Sequence, residues 1–199
     1  MKKIQIIIFG AVAVAVLGGV FFFTSSNGIG GGTLPKYKGD AIENIGTDLF
    51  IAEIPKDVQE KYKNELSDLN EGLKNTPDNI DLWIQVGIIK KIFNNYNGAR
   101  DAWEYAKIVN PKHSTPYYNL GGLYGSYIKD FEKAEENYLK AIEIDPTLGY
   151  LYLGLADFYE NFYTEKADQA IEVIKQGLVV VPDEPSLKQA LEHYENLEK

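Results

Sequence analysis

The chain has 199 residues, of which 45% are hydrophobic and 25% are charged, a balance typical of a folded globular protein. It contains no cysteine, which excludes disulfides and thiolate metal sites. The formal net charge is −9 and Arg100 is the sole arginine, so a nucleic-acid partner is not expected, because phosphate backbones are bound by clustered lysine and arginine.

The N-terminal region carries one long apolar run. Residues 4–23, IQIIIFGAVAVAVLGGVFFF, contain a single polar side chain, that of Gln5. At ~1.5 Å per residue, a helix of this length spans ~30 Å, the hydrocarbon thickness of a bilayer. Lys2 and Lys3 precede the run and favour a cytoplasmic N-terminus. Residues 1–24 are therefore predicted to be a cytoplasmic stub and a transmembrane anchor, which makes this a single-pass membrane protein with the rest of the chain outside the cytoplasm.

A cleavable signal peptide is the alternative reading of the same run. The apolar region of such a peptide usually has ~7–15 residues and ends in small residues. Here the run is longer and ends in three phenylalanines, although Thr24, Ser25 and Ser26 form a weak cleavage site. The sequence favours the uncleaved anchor and leaves a secreted, signal-cleaved protein as the second possibility.

Residues 25–56 are predicted to be a linker followed by an extended segment. The stretch 25–32, SSNGIGGG, is rich in glycine and indicates a flexible linker. A phosphate-binding loop is not favoured, because it would need a preceding strand and a following helix. Residues 36–55 are too apolar for a free coil, but their isoleucines follow no clear period. We expect this segment to lie partly docked on the first helix.

Residues 57–79 are predicted to contain the first helix of the exported part, acting as a half-repeat. Asp57 and Glu60 have the spacing of a capping box. The helix is expected to end at Thr76, because Pro77 has no amide hydrogen and restricts the residue before it. One apolar stripe follows the helical period: Val58, Tyr62, Leu66, Leu69 and Leu73.

Three longer units follow, at 80–113, 114–148 and 149–184. Prolines end the half-repeat and each unit at steps of 34, 35 and 36 residues. A near-constant offset of about 34 residues, with aromatic and small residues in fixed order, is the signature of a helical repeat array. The corresponding positions are Pro77, Pro111, Pro146 and Pro182; Trp83, Tyr117 and Tyr152; Trp103, Tyr138 and Ile174; Ala106, Ala141 and Gly177.

These units resemble tetratricopeptide repeats (TPR) over about two thirds of the chain. The resemblance implies an all-α solenoid in which each unit is a hairpin of two antiparallel helices. Lys90 departs from the family pattern, because it stands where the first helix usually carries an aromatic residue. The second and third units are one and two residues longer than the family repeat, and we expect the extra residues in the turns near Tyr127 and Tyr163.

The small residues of the pattern have a packing reason. Gly87, Gly121 and Ala156 are expected to let paired helices approach closely. A hairpin cannot cover its apolar face alone, so its neighbours must stack on it and the ends of the array need caps. Residues 185–199 are predicted to be the C-terminal capping helix, with Leu187, Leu191, Tyr194 and Leu197 directed inward.

The resemblance also implies a binding groove, lined by the first helix of each unit. Some family members bind a terminal carboxylate there with Lys, Arg and Asn, but Lys91 is the only basic side chain at these positions, so that function is not supported. An apolar, tyrosine-lined groove suits a peptide or a helix. The alternative is a shallow groove that binds nothing or self-associates. The predicted groove residues are Ile84, Ile88, Lys91, Tyr118, Tyr150, Leu153, Asp157, Glu160 and Asn161.

No pattern in the sequence predicts catalysis. Asp157 and Glu160 lie three residues apart and could touch a cation, but such pairs are usually solvated surface. His113 and His193 belong to different elements and lack companion residues. There is no nucleophile elbow, metal motif or phosphate loop. We therefore expect no catalytic residue, cofactor or metal, and a scaffolding role in the cell envelope with a protein or peptide partner. A hydrolase or metal-dependent enzyme is the less favoured alternative.

Overall fold

The computed structural model describes residues 33–46 and 49–197, without the side chains of Leu49, Phe50 and Leu197. Every regular element within these ranges is helical. The predicted membrane span at 4–23 and the linker at 25–32 lie outside the described residues, so the anchor stays a prediction. Among the helices that are described, none combines the length and apolar character needed to cross a bilayer.

Consecutive helices pair into hairpins that stack along the chain. α3 pairs with α4, α5 with α6, and α7 with α8, while α2 and α9 pack at the two ends. The short α1, inside the segment expected to be extended, was not predicted. The helices are α1 (Leu49–Glu53), α2 (Lys56–Asn75), α3 (Ile80–Ile92), α4 (Tyr96–Val109), α5 (Ser114–Leu123, continued by a π-helical turn at Tyr124–Ile128), α6 (Phe131–Ile144), α7 (Gly149–Asn161), a 3-10 segment (Thr164–Gln169), α8 (Ala170–Val180) and α9 (Pro185–Leu197).

The N-terminus of α2 differs from the predicted capping box. The helix begins at Lys56 directly after Pro55, and no side chain caps it, so the assignment of Asp57 and Glu60 to a capping box is wrong. The reason is local, because Pro55 already supplies the helix entry with its restricted φ of −52°. Gln59 instead donates hydrogen bonds to two carbonyls at the end of α1, those of Ile51 and Ile54.

Close approach within the hairpins depends on glycine, as the sequence predicts. A Cβ atom added at Gly87 would lie 2.2 Å from the indole nitrogen of Trp103. One added at Gly121 would lie 2.8 Å from the ring of Tyr138. In the first two hairpins the bulky aromatic residue of the second helix therefore rests directly on the backbone of the first helix.

The first aromatic residue of each unit also donates a hydrogen bond to the turn that precedes the unit. The Trp83 indole donates to the carbonyl of Pro77 at 2.9 Å. The hydroxyl of Tyr152 donates to the carbonyl of Pro146 at 3.0 Å, and Tyr117 makes the equivalent bond to Pro111 at 3.4 Å. The repeated proline and the repeated aromatic thus form one recurrent contact that fixes how each hairpin enters the next.

The extra residue of the second unit lies inside a helix. α5 ends in the π-helical turn Tyr124–Ile128, followed by Lys129 at a φ of 64°. The expectation of an insertion in the connecting turn is therefore wrong for this unit, because a π turn absorbs one additional residue without breaking the helix. A Cβ atom at Gly125 would lie 2.7 Å from the ring of Phe158, so the widened turn rests against α7. In the third unit the connection near Tyr163 forms the 3-10 segment.

Residues 34–46, called the strap below, are fastened by the buried Lys90. The side chain of Lys90 is fully buried, and its ammonium donates to Asp40 Oδ2 at 2.6 Å. It also donates to the carbonyls of Ala41 at 2.7 Å and Asn44 at 2.8 Å. All three ammonium hydrogens are thereby used by the strap. This explains why a lysine replaces the aromatic residue of the family pattern.

The rest of the strap lies mainly on α3 and α4. The ring of Tyr37 packs between Trp83 and Tyr105, with centroid distances of 4.8 and 5.3 Å. The Tyr105 hydroxyl donates to the carbonyl of Pro35 at 2.6 Å. The helix expected to receive this segment, α2, contributes a hydrogen bond from Asn70 to Glu43. The polar contacts of the strap therefore go mainly to the first complete hairpin, while its buried Ile45 belongs to a core cluster that also contains Leu66 and Leu69 of α2.

The surroundings of Asp40 favour its charged form. Burial by itself raises the pKa of this carboxyl, but hydrogen bonds from Lys90, Asn44 and Asn95 outweigh it and hold the pKa below its usual value. The backbone amide of Asp40 donates in turn to Asp101 on α4 at 3.1 Å. Asp40 thus joins the strap to the array in three ways: through its ion pair with Lys90, its hydrogen bond from Asn95, and its backbone bond to Asp101.

Asp40→Asn tests this junction, because it keeps the side-chain volume and removes the charge opposite a buried ammonium. We expect the free energy of unfolding to fall by about 2 kcal/mol. Urea denaturation followed by circular dichroism measures it. Asp68→Asn, at an exposed position on α2, is the matched control and should change stability by less than about 0.5 kcal/mol.

The same pair of proteins gives a pH test. Because the folded pKa of Asp40 lies below its ordinary value of 3.8, the stabilisation is present above that pH and is lost as the pH falls through the folded pKa. The stability difference between the parent chain and Asp40→Asn should therefore close only below about pH 4. A difference that is absent at neutral pH would contradict the role assigned to Asp40.

Gly121→Ala and Gly122→Ala form a second matched pair, on adjacent positions of α5. At Gly121 the new methyl group would meet the ring of Tyr138 at 2.8 Å, so we expect a loss of about 1–3 kcal/mol from strain. At Gly122 the nearest atom is the Tyr138 hydroxyl at 3.4 Å, and stability should hold or rise by up to about 1 kcal/mol from helix propensity. Thermal or urea denaturation distinguishes them, and equal losses would refute the close-packing argument.

Candidate functional site

The predicted groove residues lie on the first helices of the hairpins, and most reach the surface. Ile88 is 43% exposed and Tyr150 is 42% exposed. We call the surface that these helices share the first-helix face. Three of the predicted residues are exposed polar side chains, namely Lys91, Asp157 and Asn161. Three others are half-buried, namely Tyr118, Leu153 and Glu160.

Ile84 is the exception and requires a correction. Its side chain is only 8% exposed, so it offers little surface to a partner. The indole of Trp103 lies against this turn of α3 and donates to the carbonyl of Ile84 at 3.1 Å. The equivalent positions in the next two units, Tyr118 and Leu153, are half-buried.

Three tyrosines form a cluster between α5, α6 and α7, called the tyrosine cluster below. The ring of Tyr118 meets Tyr150 edge to face at a centroid distance of 5.1 Å and Tyr138 in the same manner at 5.6 Å. Two of these residues were predicted from sequence. Tyr138 was recognised from sequence as a repeat position but not as a groove residue, so its participation was missed.

Two glycines give the cluster its place. A Cβ atom at Gly154 would lie 2.5 Å from the ring of Tyr118, so this ring rests on the backbone of α7. On α5 the missing side chain of Gly122 leaves space beside the Tyr138 hydroxyl, 3.4 Å from where a Cβ would lie. The sequence signal that could have revealed Tyr138 was the glycine pair. Gly121 is needed for packing against the Tyr138 ring, and Gly122 leaves the Tyr138 hydroxyl uncovered.

The hydroxyl groups of the cluster differ from those of the stack. The cluster residues Tyr118, Tyr138 and Tyr150 make no hydrogen bond to any group in the part of the chain that the structure describes. Most tyrosines that build the stack or hold the strap donate to carbonyls or carboxylates, with Tyr62 and Tyr163 as exceptions among the described residues. The donors are Tyr37, Tyr105, Tyr117, Tyr124, Tyr152, Tyr159 and Tyr194.

Asp157 lies on the same side of α7 as the cluster. It follows Tyr150 by two helical turns and Gly154 by one, so the three share a helical face. One of its carboxylate oxygens accepts a hydrogen bond from Asn161 at 2.9 Å. Burial raises the pKa of Tyr138, and the nearby Tyr118 and Asp157 raise it further, which agrees with a shared neighbourhood.

Glu160, three residues on, is engaged with the C-terminal cap. It accepts a hydrogen bond from the hydroxyl of Tyr194 on α9 at 3.0 Å, and its other oxygen lies 3.7 Å from His193 Nε2. Burial and this carboxylate raise the pKa of Tyr194. Glu160 therefore helps to hold α9 in place, whereas Asp157 remains directed to the first-helix face.

The opposite end of the face is aliphatic. Ile88 and Ile92 are 43% and 47% exposed on α3. Lys91 lies 5.7 Å from the ring centroid of Tyr127, which is itself 45% exposed. Within residues 33–46 and 49–197, no three histidine, aspartate or glutamate side chains come together as a metal site. The arrangement offers apolar and aromatic contact surface with one acidic edge.

Comparison with known proteins identifies the fold of the chain. No family model and no curated protein sequence matches the chain. Among solved structures, a crystal structure of MamA, a TPR-containing protein, aligns with 68% of this chain and 73% of that chain at 18% identity and a TM-score of 0.52. A second MamA structure covers 73% of this chain and 82% of that chain at 18% identity and a TM-score of 0.53. The shared property is the fold, an all-helical array of the TPR kind.

Removing single hydroxyl groups separates the two kinds of tyrosine. Tyr152→Phe deletes a hydrogen bond to the Pro146 carbonyl, so we expect a loss of about 1 kcal/mol in the free energy of unfolding. Tyr138→Phe deletes a hydroxyl without such a partner and should cost less than about 0.5 kcal/mol. Urea denaturation measures both. Equal losses would mean that the Tyr138 hydroxyl has a structural role.

Proposed function

We propose that this chain is a membrane-anchored interaction protein that binds a protein or peptide partner through its first-helix face. It acts as a scaffold outside the cytoplasm and has no catalytic activity of its own. The observation that carries the proposal is the tyrosine cluster. Aromatic rings at the surface, with hydroxyls that bond to nothing in the described residues, suit a contact surface better than a packing core.

The fold supports the same role. Stacked hairpins present a long surface made of several helices, which suits an extended peptide or a helix better than a small molecule. The crystal structures of MamA share this fold, and fold alone does not specify a partner. The acidic net charge and the scarcity of arginine favour a protein partner over nucleic acid.

The anchor rests on residues 1–24. Their long apolar run, with two preceding lysines, favours a single span with a cytoplasmic N-terminus. A secreted protein that has lost its signal peptide is the alternative, since the same run could be cleaved after the phenylalanines.

Tyr150→Lys in the full-length chain tests the interaction role. A charge at this 42% exposed position should reduce recovery of crosslinked partners from native cells by roughly tenfold while leaving helicity unchanged. Val179→Lys, at an 84% exposed position on α8, is the control for an added surface charge and should have no effect. Equal recovery with both variants would contradict the proposed binding face.

The anchor and its orientation have a separate readout. Intact-mass measurement of the mature protein should find residues 1–24 retained, and a C-terminal tag should react with a membrane-impermeant reagent in whole cells. Loss of about the first 26 residues would establish the secreted alternative. A tag that reacts only after lysis would overturn the proposed location.

A further inference from the structure

We propose that the tyrosine cluster and Asp157 form a pocket for a cationic side chain, a lysine or arginine presented by the partner. This inference rests on the proposed interaction role and adds the chemistry of the partner. Such a pocket would be acidic, whereas a groove that binds a terminal carboxylate is basic. Three features of the site point to a cationic ligand.

The first feature is the supply of unused hydrogen-bond acceptors. Tyr138 is only 7% exposed, yet its hydroxyl has no partner among the described residues. Gly122 provides no side chain to cover this hydroxyl. The hydroxyl itself is not sealed from solvent, so it is free to accept a hydrogen bond from a group outside the chain. The hydroxyls of Tyr118 and Tyr150 add two further acceptors for the N–H groups of a cation.

The second feature is that no lysine of the described residues lies over the aromatic rings of the cluster. This chain repeatedly places lysine over aromatic rings, but no such contact involves Tyr118, Tyr138 or Tyr150 in the described residues. Tyr150, the most exposed ring of the cluster at 42%, meets Tyr118 edge to face and offers ring surface to a cation. The observed pairs are Lys61 with Tyr62, Lys91 with Tyr127, Lys107 with Tyr117, Lys129 with Phe162, Lys133 with Tyr124, and Lys166 with Tyr159 and Tyr163.

The third feature is the charge beside the rings. Asp157 is exposed, and only one of its carboxylate oxygens is hydrogen-bonded, to Asn161, in the part of the chain described. Its negative charge would repel an anionic group and would pair with a guanidinium or ammonium held against the tyrosines. Glu160, the next acidic side chain on α7, is already bonded to Tyr194.

Short peptides provide the test. The full-length chain, labelled with 15N-glycine and held in detergent micelles, is titrated with acetyl-Ala-Arg-Ala-amide and with the same peptide carrying citrulline, which keeps the shape and removes the charge. A second pair uses lysine and norleucine. The amide resonances of Gly122 and Gly154 report the pocket. We expect the charged peptides to bind about tenfold more tightly than their neutral counterparts.

Matched variants locate the effect. Asp157→Asn and Tyr150→Leu should each weaken binding of the arginine peptide about tenfold. Two control variants should leave binding of the arginine peptide unchanged. Asp81→Asn removes an exposed carboxylate in the first turn of α3, and Tyr127→Leu removes a tyrosine about as exposed as Tyr150. Equal binding of arginine and citrulline, no response up to about 10 mM peptide, or equal effects of Asp157→Asn and Asp81→Asn would overturn the pocket.

The outcome separates this inference from the proposed function. If Tyr150→Lys abolishes partner recovery but the peptides show no preference for charge, the interaction face stands and the cation pocket is refuted. If the arginine peptide binds as expected but partner recovery is insensitive to Tyr150→Lys, the pocket stands and the proposed use of this face for the cellular partner is refuted.

Discussion

The structure depends on one constraint, which is that a helical hairpin cannot bury its own apolar surface. Each hairpin covers the next, and the two ends must be closed by something else. At the C-terminal end α9 does this, with Leu187 fully buried and Tyr194 bonded to Glu160. At the N-terminal end α2 and the strap share the task. The strap has no helical ladder of its own, so its backbone carbonyls need donors from the array, and the Lys90 ammonium supplies them.

The same constraint sorts the aromatic residues by use. Where a ring belongs to the stack, its polar atom bonds to a neighbouring turn, as with Trp83 and Pro77 or Tyr152 and Pro146. These bonds remove the cost of burying an indole N–H or a phenol hydroxyl. The tyrosine cluster departs from this rule on the first-helix face. Its packed aromatic rings carry hydroxyls that bond to nothing in the described residues, and the proposed site rests on this combination.

The likeness to MamA concerns the fold and leaves the partner open, because helical arrays of one architecture bind chemically different partners. What distinguishes this chain lies in a few substitutions within the repeat. Lys90 binds the strap in place of an aromatic residue, and the second glycine of the Gly121–Gly122 pair opens the surface beside Tyr138. The function argued above therefore depends on the deviations from the repeat more than on the repeat itself.

The sequence by itself determined the helical repeat, its period and the close contact at Gly87 and Gly121, because these follow from spacing and side-chain size along one chain. The resemblance to the TPR pattern also placed Tyr118 and Tyr150 on the first-helix face. Only the tertiary structure decided that the strap lies on Lys90, that α5 absorbs its extra residue as a π turn, that Ile84 is buried, and that Tyr138 reaches the cluster. Each of these depends on a contact between residues distant in the chain. A local pattern records the length and polarity of a segment, but it does not record which neighbour will supply its hydrogen bonds or cover its side chains.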